Sequence, residues 1–223
     1  MVDLNADLGE SFGSYTIGND DIIDIVDRAN IACGFHAGDP LVIKRACERA
    51  LAQGVTVGAH VGYRDLAGFG RRFIAYEPEV LKAEVQYQIG ALSAFAPVTY
   101  VKPHGALYNY ACMNKDQAMP IIEAMVEYDG ELSLMCLANS PIIGWAHEAG
   151  LSTISEAFAD RAYTPEGTLV PRTEPGAVLG FEDALAQARK IIAEESADSI
   201  CVHGDSASAL KLATAIREVL DAT

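Results

Sequence analysis

The sequence predicts an α/β fold, a seven-stranded parallel (β/α) barrel, on two observations. β-type apolar runs alternate with helical periodicity along the chain, and several runs lead into short polar signatures, most of which carry a histidine. Alternation of this kind indicates parallel strands joined by helical crossovers. The strands of a parallel barrel open on one face at their carboxyl ends, where such folds carry their sites. A doubly wound open sheet is the alternative architecture.

Each predicted element follows from local pattern. The predicted strands are residues 2–7, 29–35, 55–60, 98–102, 132–137, 151–155 and 199–203. Apolar stripes at helical spacing predict helices over 40–51, 81–95 and 209–220, the first with Asp39 as its cap and Pro40 at its first position. No linker, repeat or low-complexity segment interrupts the pattern, so we expect one barrel domain over residues 1–223.

Composition narrows the classes of function. The chain has 223 residues, half of them hydrophobic, and a formal net charge of −15. That charge disfavours nucleic acid and acidic membranes as partners. No apolar run approaches the ~20 residues of a membrane span, and the N-terminus does not resemble a signal peptide, so we expect a cytoplasmic protein. Five scattered cysteines without a CxxC pair predict buried, reduced thiols.

Three histidines at equivalent positions predict one shared site. His36, His60 and His104 each follow a strand-like run. A neutral imidazole can act near pH 7 as a base, an acid or a metal ligand. The alternative is a structural histidine bonded to a neighbouring loop.

The first strand ends in carboxylates that suit the same site. Asp7 and Glu10 are both candidates for a general base, a metal ligand or a group that orients a histidine. The alternative is that both carboxylates only stabilise a tight turn. Asn5 shares a strand face with Asp7 and is a candidate either for direct contact with the substrate or for support of the residues that make that contact.

Basic residues near the strand ends predict an anionic ligand. Lys102, inside an apolar run, would neutralise an anion or pair with a core carboxylate. Arg161 and Arg172 suit a carboxylate or phosphate, with surface ion pairs as the alternative. They lie in a long connection, 156–180, which like 62–77 exceeds the usual loop length and predicts a binding loop.

Two further residues complete the candidate set. Glu156 is expected at the end of the sixth strand, where that long connection begins. His203, in the signature His203-Gly204-Asp205, ends the last predicted strand. Its role is either catalytic or limited to closing the barrel.

Several nucleotide and hydrolase motifs are absent from the sequence. The glycine-rich stretch 68–72 lacks the spacing of a P-loop, and no GxSxG or HExxH motif occurs. If ATP is used, its phosphates are bound in another way or by another chain.

The signatures together resemble the LamB/YcsF family over nearly the whole chain. The matching runs, in family order, are LNADLGESFG, ANIACGFHAGDP, GAH, GFGRR, YQIGAL, VKPHGALYN, EAFADRAYTPEGTLVPR and CVHGD. The resemblance implies a barrel of the glycoside hydrolase/deacetylase type and the role of the A subunit in an ATP-dependent 5-oxoprolinase, working with subunits B and C. The implied reaction converts 5-oxo-L-proline, ATP and water to L-glutamate, ADP and phosphate, with a divalent metal such as Mg²⁺ possible alongside the nucleotide.

The implied chemistry gives each candidate a role. Phosphorylation of the lactam carbonyl oxygen would create a leaving group, and Asp7 or His36 would activate the attacking water. Lys102, Arg161 or Arg172 would neutralise the substrate carboxylate or phosphate, while His60 and His104 would move protons. The chain departs from the family pattern at Val61, where many relatives have proline, and in the short segment 194–198 before the last strand.

Two other classes of function remain open from the sequence. One is a stand-alone, metal-dependent amide hydrolase or deacetylase, with Asp7, His36 and His60 as ligands. The other is a non-catalytic substrate-binding component whose partners perform the chemistry.

Overall fold

Seven strands alternate with helices in a computed structural model that describes residues 2–203 and 209–223. The strands are Asp3–Leu8 (β1), Arg28–Ala32 (β2), Thr56–Val61 (β3), Tyr100–Pro103 (β4), Ser133–Leu137 (β5), Thr153–Phe158 (β6) and Ser199–His203 (β7). The helices are Pro40–Ala52 (α1), Pro78–Ser93 (α2), Gly105–Met113 (α3), Lys115–Asp129 (α4), Pro141–Glu148 (α5), Phe181–Glu194 (α6) and Ala209–Asp221 (α7). Short 3₁₀ helices lie at Asp20–Asp24 and Leu66–Gly68.

The strands form one closed, all-parallel barrel. Each strand pairs with its neighbours in chain order, and β1 also pairs with β7, so that Asn5 lies opposite both Arg28 and Cys201. This arrangement confirms the predicted barrel and excludes the open sheet. The predicted cap is also confirmed, because the Asp39 carboxylate accepts hydrogen bonds from the backbone amides of Leu41 and Val42 at the start of α1.

The apolar core lies between the barrel and its helices, whereas the barrel interior is partly polar. Buried side chains such as Leu4, Ile31, Val85 and Ile121 fill the outer layer. Inside the barrel, position 58 accommodates only glycine, since a Cβ there would lie 2.2 Å from ring atoms of Tyr100. The Tyr100 hydroxyl donates to Asn30 Oδ1 at 2.7 Å. The interior is thus filled by side chains that bond to one another.

Two strand ends differ from the predicted ones by three residues, and the other boundaries by at most two. β2 ends at Ala32, so His36 lies in the following loop and not directly after the strand. β6 runs on to Phe158, so Glu156 lies within a strand and the long connection begins after it. Glu156 is fully buried inside the barrel, where Lys102 neutralises its charge.

The cysteine prediction is confirmed, since Cys33, Cys47, Cys112, Cys136 and Cys201 are all unpaired and buried. Among the described residues, no helix combines the length and apolar character needed to cross a membrane.

Candidate active site

A cavity of about 290 Å³ opens at the carboxyl ends of the strands. Seven predicted site residues contribute to its lining: Asp7, His60, Lys102, His104, Arg161, Arg172 and His203. The other predicted residues, Asn5, Glu10, His36 and Glu156, lie behind this lining. Asn5 and Glu156 lie within strands β1 and β6, whereas Glu10 and His36 lie in the loops that follow β1 and β2.

Lys102 joins two carboxylates at the base of the cavity. Its Nζ lies 2.9 Å from Asp7 Oδ1 and 2.6 Å from Glu156 Oε1, and all three side chains are buried. Burial alone would lower the pKa of Lys102, but the charges of Asp7 and Glu156 outweigh it and hold that pKa well above its ordinary value. The core ion pair that the sequence left as an alternative for Lys102 is therefore present.

Asp7 is held in its ionised form by the same contacts. Burial would raise the pKa of this carboxyl, but His60 and Lys102 lower it well below its ordinary value. The amide of Asn30 also donates to Asp7 Oδ1 at 2.9 Å. Asp7 is consequently a carboxylate at the cavity wall across the neutral pH range.

Asn5 belongs to the layer beneath Asp7. Its amide donates to Ser199 Oγ at 2.7 Å, and its Oδ1 accepts from Asn30 at 2.8 Å. These bonds fix the Asn30 amide that orients Asp7, so the position of Asn5 is that of a support for Asp7 and not of a contact in the cavity.

The three predicted histidines converge in one cluster. The rings of His36 and His104 stack in parallel with centroids 3.7 Å apart, and His60 meets both rings edge-on. Burial and the neighbouring rings lower the pKa values of His36 and His104 well below the ordinary value, so both rings are neutral near pH 7. His60 and His104 reach the cavity, whereas His36 is fully buried behind them.

Two glycines make room for this cluster. A Cβ on Gly62 would lie 2.7 Å from His36 Nδ1, and one on Gly70 would lie 2.7 Å from His36 Cβ and 2.8 Å from His104 Cδ2. Gly70 also has a φ of 62°, a left-handed conformation that favours glycine. The loop after β3 thus packs its backbone directly against the rings.

Glu10 lies against the same rings. Its Oε1 is 3.3 Å from His36 Nε2 and 3.7 Å from His104 Nδ1. It is buried and faces the cluster, away from the cavity.

The connection between β6 and α6 forms the basic wall. Arg161 donates to the carbonyls of Ala177 and Val170 within that connection, which orders it, and Arg172 lines the same cavity. Burial and the nearby Arg172 charge lower the pKa of Arg161 to about 10. Arg161 therefore remains a cation at neutral pH, and the side chains of Arg161 and Arg172 both line the cavity.

His203 closes the barrel and lines the cavity. Its Nδ1 donates to Asp160 Oδ1 at 2.9 Å, and its ring stacks on Phe158 with centroids 5.3 Å apart. The rest of its signature, Gly204 and Asp205, lies outside the described residues.

Sequence reasoning missed several residues of the lining, of which Arg71 and Tyr108 bear on its chemistry. Arg71, from the loop between β3 and α2, adds a third guanidinium to the cavity. Tyr108 donates from its hydroxyl to Glu156 Oε2 at 2.9 Å. A helix that starts after β4 places Tyr108 one turn beyond His104, and that spacing was the signal available in the sequence.

Two groups of side chains have donor atoms close enough to share a metal ion. One is Glu10, His36, His60 and His104, and the other is Asp7, Cys201 and His203, with all donor atoms of each group within 4.8 Å of one another. The set expected from the sequence, Asp7, His36 and His60, spans parts of both groups. The histidine-rich group provides the nitrogen donors that zinc and similar ions prefer.

The cavity is small for a ligand pocket. Its volume of about 290 Å³ lies at the lower end of the ~300–1,000 Å³ typical of ligand pockets. No P-loop occurs in the sequence. The space and the basic wall instead fit a small, compact anion.

The fold and site define a parallel (β/α)₇ barrel protein with a small basic cavity at the strand ends. The chain belongs to the LamB/YcsF family, whose model matches residues 2–223.

Curated relatives match along almost their whole length. A protein from Mycolicibacterium gilvum, named as the A subunit of 5-oxoprolinase, is 51% identical over 98% of this chain and 94% of its own. A protein of the same name from Streptomyces coelicolor is 48% identical over 99% of this chain and 96% of its own. The first alignment spans 240 positions against 223 residues in the chain, so that relative carries segments that this chain lacks.

Solved structures agree with the fold. The lactam utilization protein from Thermus thermophilus superposes with a TM-score of 0.91 at 43% identity, over 99% of this chain and 96% of the other. An α-L-fucosidase from Bacteroides thetaiotaomicron described as putative has a TM-score of 0.55 at 10% identity, over 98% of this chain and 65% of the other, and shares the fold alone.

Proposed function

We propose that this chain is the lactam-opening subunit of an ATP-dependent 5-oxoprolinase, converting 5-oxo-L-proline to L-glutamate. The observation that carries the proposal is the small cavity, in which an ionised carboxylate, Asp7, faces a wall of arginines. The relatives named as 5-oxoprolinase A subunits and the solved lactam utilization protein support the same substrate class.

The arginine wall suits the carboxylate of the substrate. Arg161 and Arg172 present planar guanidinium groups, which bind carboxylates in a forked geometry. Arg71 adds positive charge from the opposite loop. With the carboxylate on this wall, the lactam ring would face the cluster of Asp7, His60 and His104.

Asp7 is the better placed of the two expected bases. It lines the cavity, whereas His36 is fully buried behind His104. We infer that Asp7 orients the attacking water, accepts its proton and then returns it to the ring nitrogen that leaves. General acid–base help of this kind contributes roughly a hundred- to ten-thousandfold in rate.

In this scheme the nucleotide binds to other chains of the complex. Because the cavity is small and the sequence has no P-loop, we propose that partner subunits, corresponding to subunits B and C of the implied complex, bind ATP and Mg²⁺ and phosphorylate the lactam oxygen. This chain would then add one water to the activated carbon and break the C–N bond, giving an acyl phosphate of glutamate, from which a second water would release glutamate and phosphate.

The test is glutamate release from 5-oxoproline by this protein alone and with its candidate partners, each with and without ATP. We expect release only in the complete, ATP-containing mixture. No release in any mixture of folded proteins would overturn the proposal. Release by the chain alone without ATP would favour the stand-alone amide hydrolase.

Two variants connect the activity to the cavity. Asp7→Asn should lower kcat by a hundredfold or more, and Arg172→Ala should mainly raise KM. Arg189→Ala, which removes an exposed arginine from α6, is the matched control and should leave both constants unchanged. If Asp7→Asn altered only KM, the chain would be a substrate-binding component and not a catalyst.

A further inference from the structure

The hydrogen bonds of the histidine cluster leave two nitrogen lone pairs facing each other. His60 Nδ1 lies 3.0 Å from the carbonyl oxygen of Lys102, and His104 Nε2 lies 2.9 Å from that of Phe69. A carbonyl oxygen only accepts, so each of these nitrogens carries the ring's N–H. The remaining nitrogens, His60 Nε2 and His104 Nδ1, face each other, so at most one proton fits between them.

These two nitrogens are 2.9 Å apart. The Asp7 Oδ2 atom, a further acceptor, lies 3.3 Å from His60 Nε2. At such short separations these three electron-rich atoms repel one another unless a cation lies among them. The arrangement therefore calls for a proton or a metal ion at this point.

A third donor favours the metal ion. Glu10 Oε1 lies 3.7 Å from His104 Nδ1, and Glu10, His60 and His104 all offer donor atoms within 4.8 Å of one another. Metal–nitrogen bonds of about 2.0–2.1 Å in a tetrahedral site place neighbouring donors about 3.3 Å apart, close to the distances in this cluster. A proton bridges only two atoms, whereas Glu10, which His36 already contacts, brings a third donor to the same place.

The remaining nitrogens of the two rings, His60 Nδ1 and His104 Nε2, support the same conclusion. Metal-bound histidines typically donate their other N–H to a backbone carbonyl or a carboxylate, which fixes the tautomer and the ring orientation. His60 and His104 both do so, to the carbonyls of Lys102 and Phe69.

His36 occupies a different place in this arrangement. Its ring is parallel to that of His104, with an interplanar angle of 4°, so the in-plane lone pairs of the two rings cannot converge on one ion. Its Nδ1 has no hydrogen-bond partner among the described residues, and its Nε2 lies 3.3 Å from Glu10 Oε1. His36 Nε2 therefore donates to the Glu10 carboxylate and orients it.

We propose that Glu10, His60 and His104 bind a divalent transition metal of the zinc type, with His36 as the positioning residue for Glu10. The set differs from Asp7, His36 and His60, because the donor atoms of Glu10 group with those of His60 and His104, whereas Asp7 falls in the separate group with Cys201 and His203. His36 is stacked on a ligand. Two histidines and a glutamate leave a coordination position open toward the cavity that His60 and His104 line. A metal there supplies a Lewis acid for a bound carbonyl. The proposal does not depend on the identity of the substrate.

The experiment measures metal binding directly. The intact protein is stripped with a chelator, dialysed and titrated with Co²⁺, whose visible absorption reports its coordination, and then with Zn²⁺ in competition. We expect one ion per chain for both metals and no competition from Mg²⁺, which prefers oxygen ligands. Zn²⁺ should also raise the Tm of the stripped protein.

Variants test the assignment of each residue. Glu10→Gln and His104→Asn should each weaken Zn²⁺ binding by a hundredfold or more, whereas His36→Asn should weaken it by about 10–100-fold, as loss of an outer partner does. His147→Ala is the matched control, since His147 is exposed on α5, and it should bind as the parent protein does. Circular dichroism identifies variants that fail to fold. Glu10→Gln is nearly isosteric, so we expect this variant to keep the fold.

Three results would overturn the metal site: no stoichiometric binding by the folded parent protein, binding that Glu10→Gln and His104→Asn leave unchanged, or an NMR spectrum of the zinc-treated protein with a doubly protonated His60. These readouts require no lactam or ATP, so failure of the proposed function would not affect them.

Discussion

At the residue scale, the charge balance of the barrel interior depends on Lys102. The ammonium group of Lys102 forms ion pairs with two buried carboxylates, those of Asp7 and Glu156. Buried ion pairs add little compared with an apolar core, but removal of one partner leaves an uncompensated charge and is strongly destabilising.

Lys102→Met should lower the free energy of unfolding by about 3–5 kcal/mol, since it leaves both carboxylates buried without their cation. Urea denaturation measures this. Adding Glu156→Gln to the variant should recover part of the loss. Lys190→Met, at an exposed site on α6, serves as the control; an equal loss there would show that the effect is not one of burial.

Asp160 gives the stability a defined dependence on pH. Burial would raise the pKa of this carboxyl, but the His203 ring and amide lower it below its ordinary value. A folded-state pKa below the unfolded value of about 3.9 means that the carboxylate stabilises the protein above that value. The contribution is lost as the pH falls through the folded-state pKa.

Asp160→Asn should therefore destabilise the protein at pH 7 by about 1.5–3 kcal/mol, the usual contribution of a hydrogen bond to a charged group. Its difference from the parent should shrink as the pH falls below about 4. Denaturation curves recorded from pH 7 to pH 3 test this, with Glu218→Gln at an exposed site on α7 as the reference. A difference that stayed constant with pH would rule out the ionised Asp160 as its source.

At the scale of single elements, close packing inside the barrel limits β3. Gly58→Ala would place a Cβ among the ring atoms of Tyr100, whose hydroxyl is bonded to Asn30. We expect a loss of at least 1–3 kcal/mol, the usual cost of overpacking, or failure to fold.

The control for Gly58→Ala is Gly144→Ala. Gly144 lies in α5 with no atom within 4 Å of an added Cβ, so that change should be neutral or should stabilise by up to about 1 kcal/mol. Thermal unfolding of both variants separates a steric effect from a general intolerance of glycine replacement.

The strands could be predicted from sequence to within a few residues, because each is a short apolar run bounded by turn or cap residues. The error at β6 has a physical cause. A carboxylate normally indicates the end of a buried strand, but Glu156 lies inside one, since Lys102 from β4 and Tyr108 from α3 bond to it. Those partners are distant in sequence, and a local pattern cannot reveal them.

The candidate site was predictable where it depends on strand ends. Asp7, His60 and His104 converge because parallel strands bring their carboxyl ends together. The depth of His36 and the contribution of Arg71 depend on the path of loops, which hydrophobic periodicity does not determine.

At the scale of the whole molecule, the barrel is closed by the two ends of the chain. β1 pairs with β7 from Asp3 opposite Ser199 to Asp7 opposite His203. The apolar core is complete only when the final β/α unit is present, so we expect cooperative unfolding in a single transition.

A chain truncated after Glu195 should lose that transition, because it lacks β7 and α7 and leaves two strand edges open. Circular dichroism during heating tests this. A chain that lacks only residues 222–223, beyond α7, is the control and should unfold as the parent does. Cooperative unfolding of the longer truncation would show that closure is dispensable.

The basic wall of the cavity has a consequence for kinetics, because it lies in a protein with a formal net charge of −15. An approaching anion is repelled at long range and attracted only near Arg71, Arg161 and Arg172. Added salt first shortens the reach of the repulsion, since the Debye length falls to about 10 Å at 0.1 M. Higher concentrations then weaken the contacts at the wall itself. The association rate of an anionic substrate should therefore rise and then fall with ionic strength, with its maximum where the overall repulsion is screened and the local attraction is not.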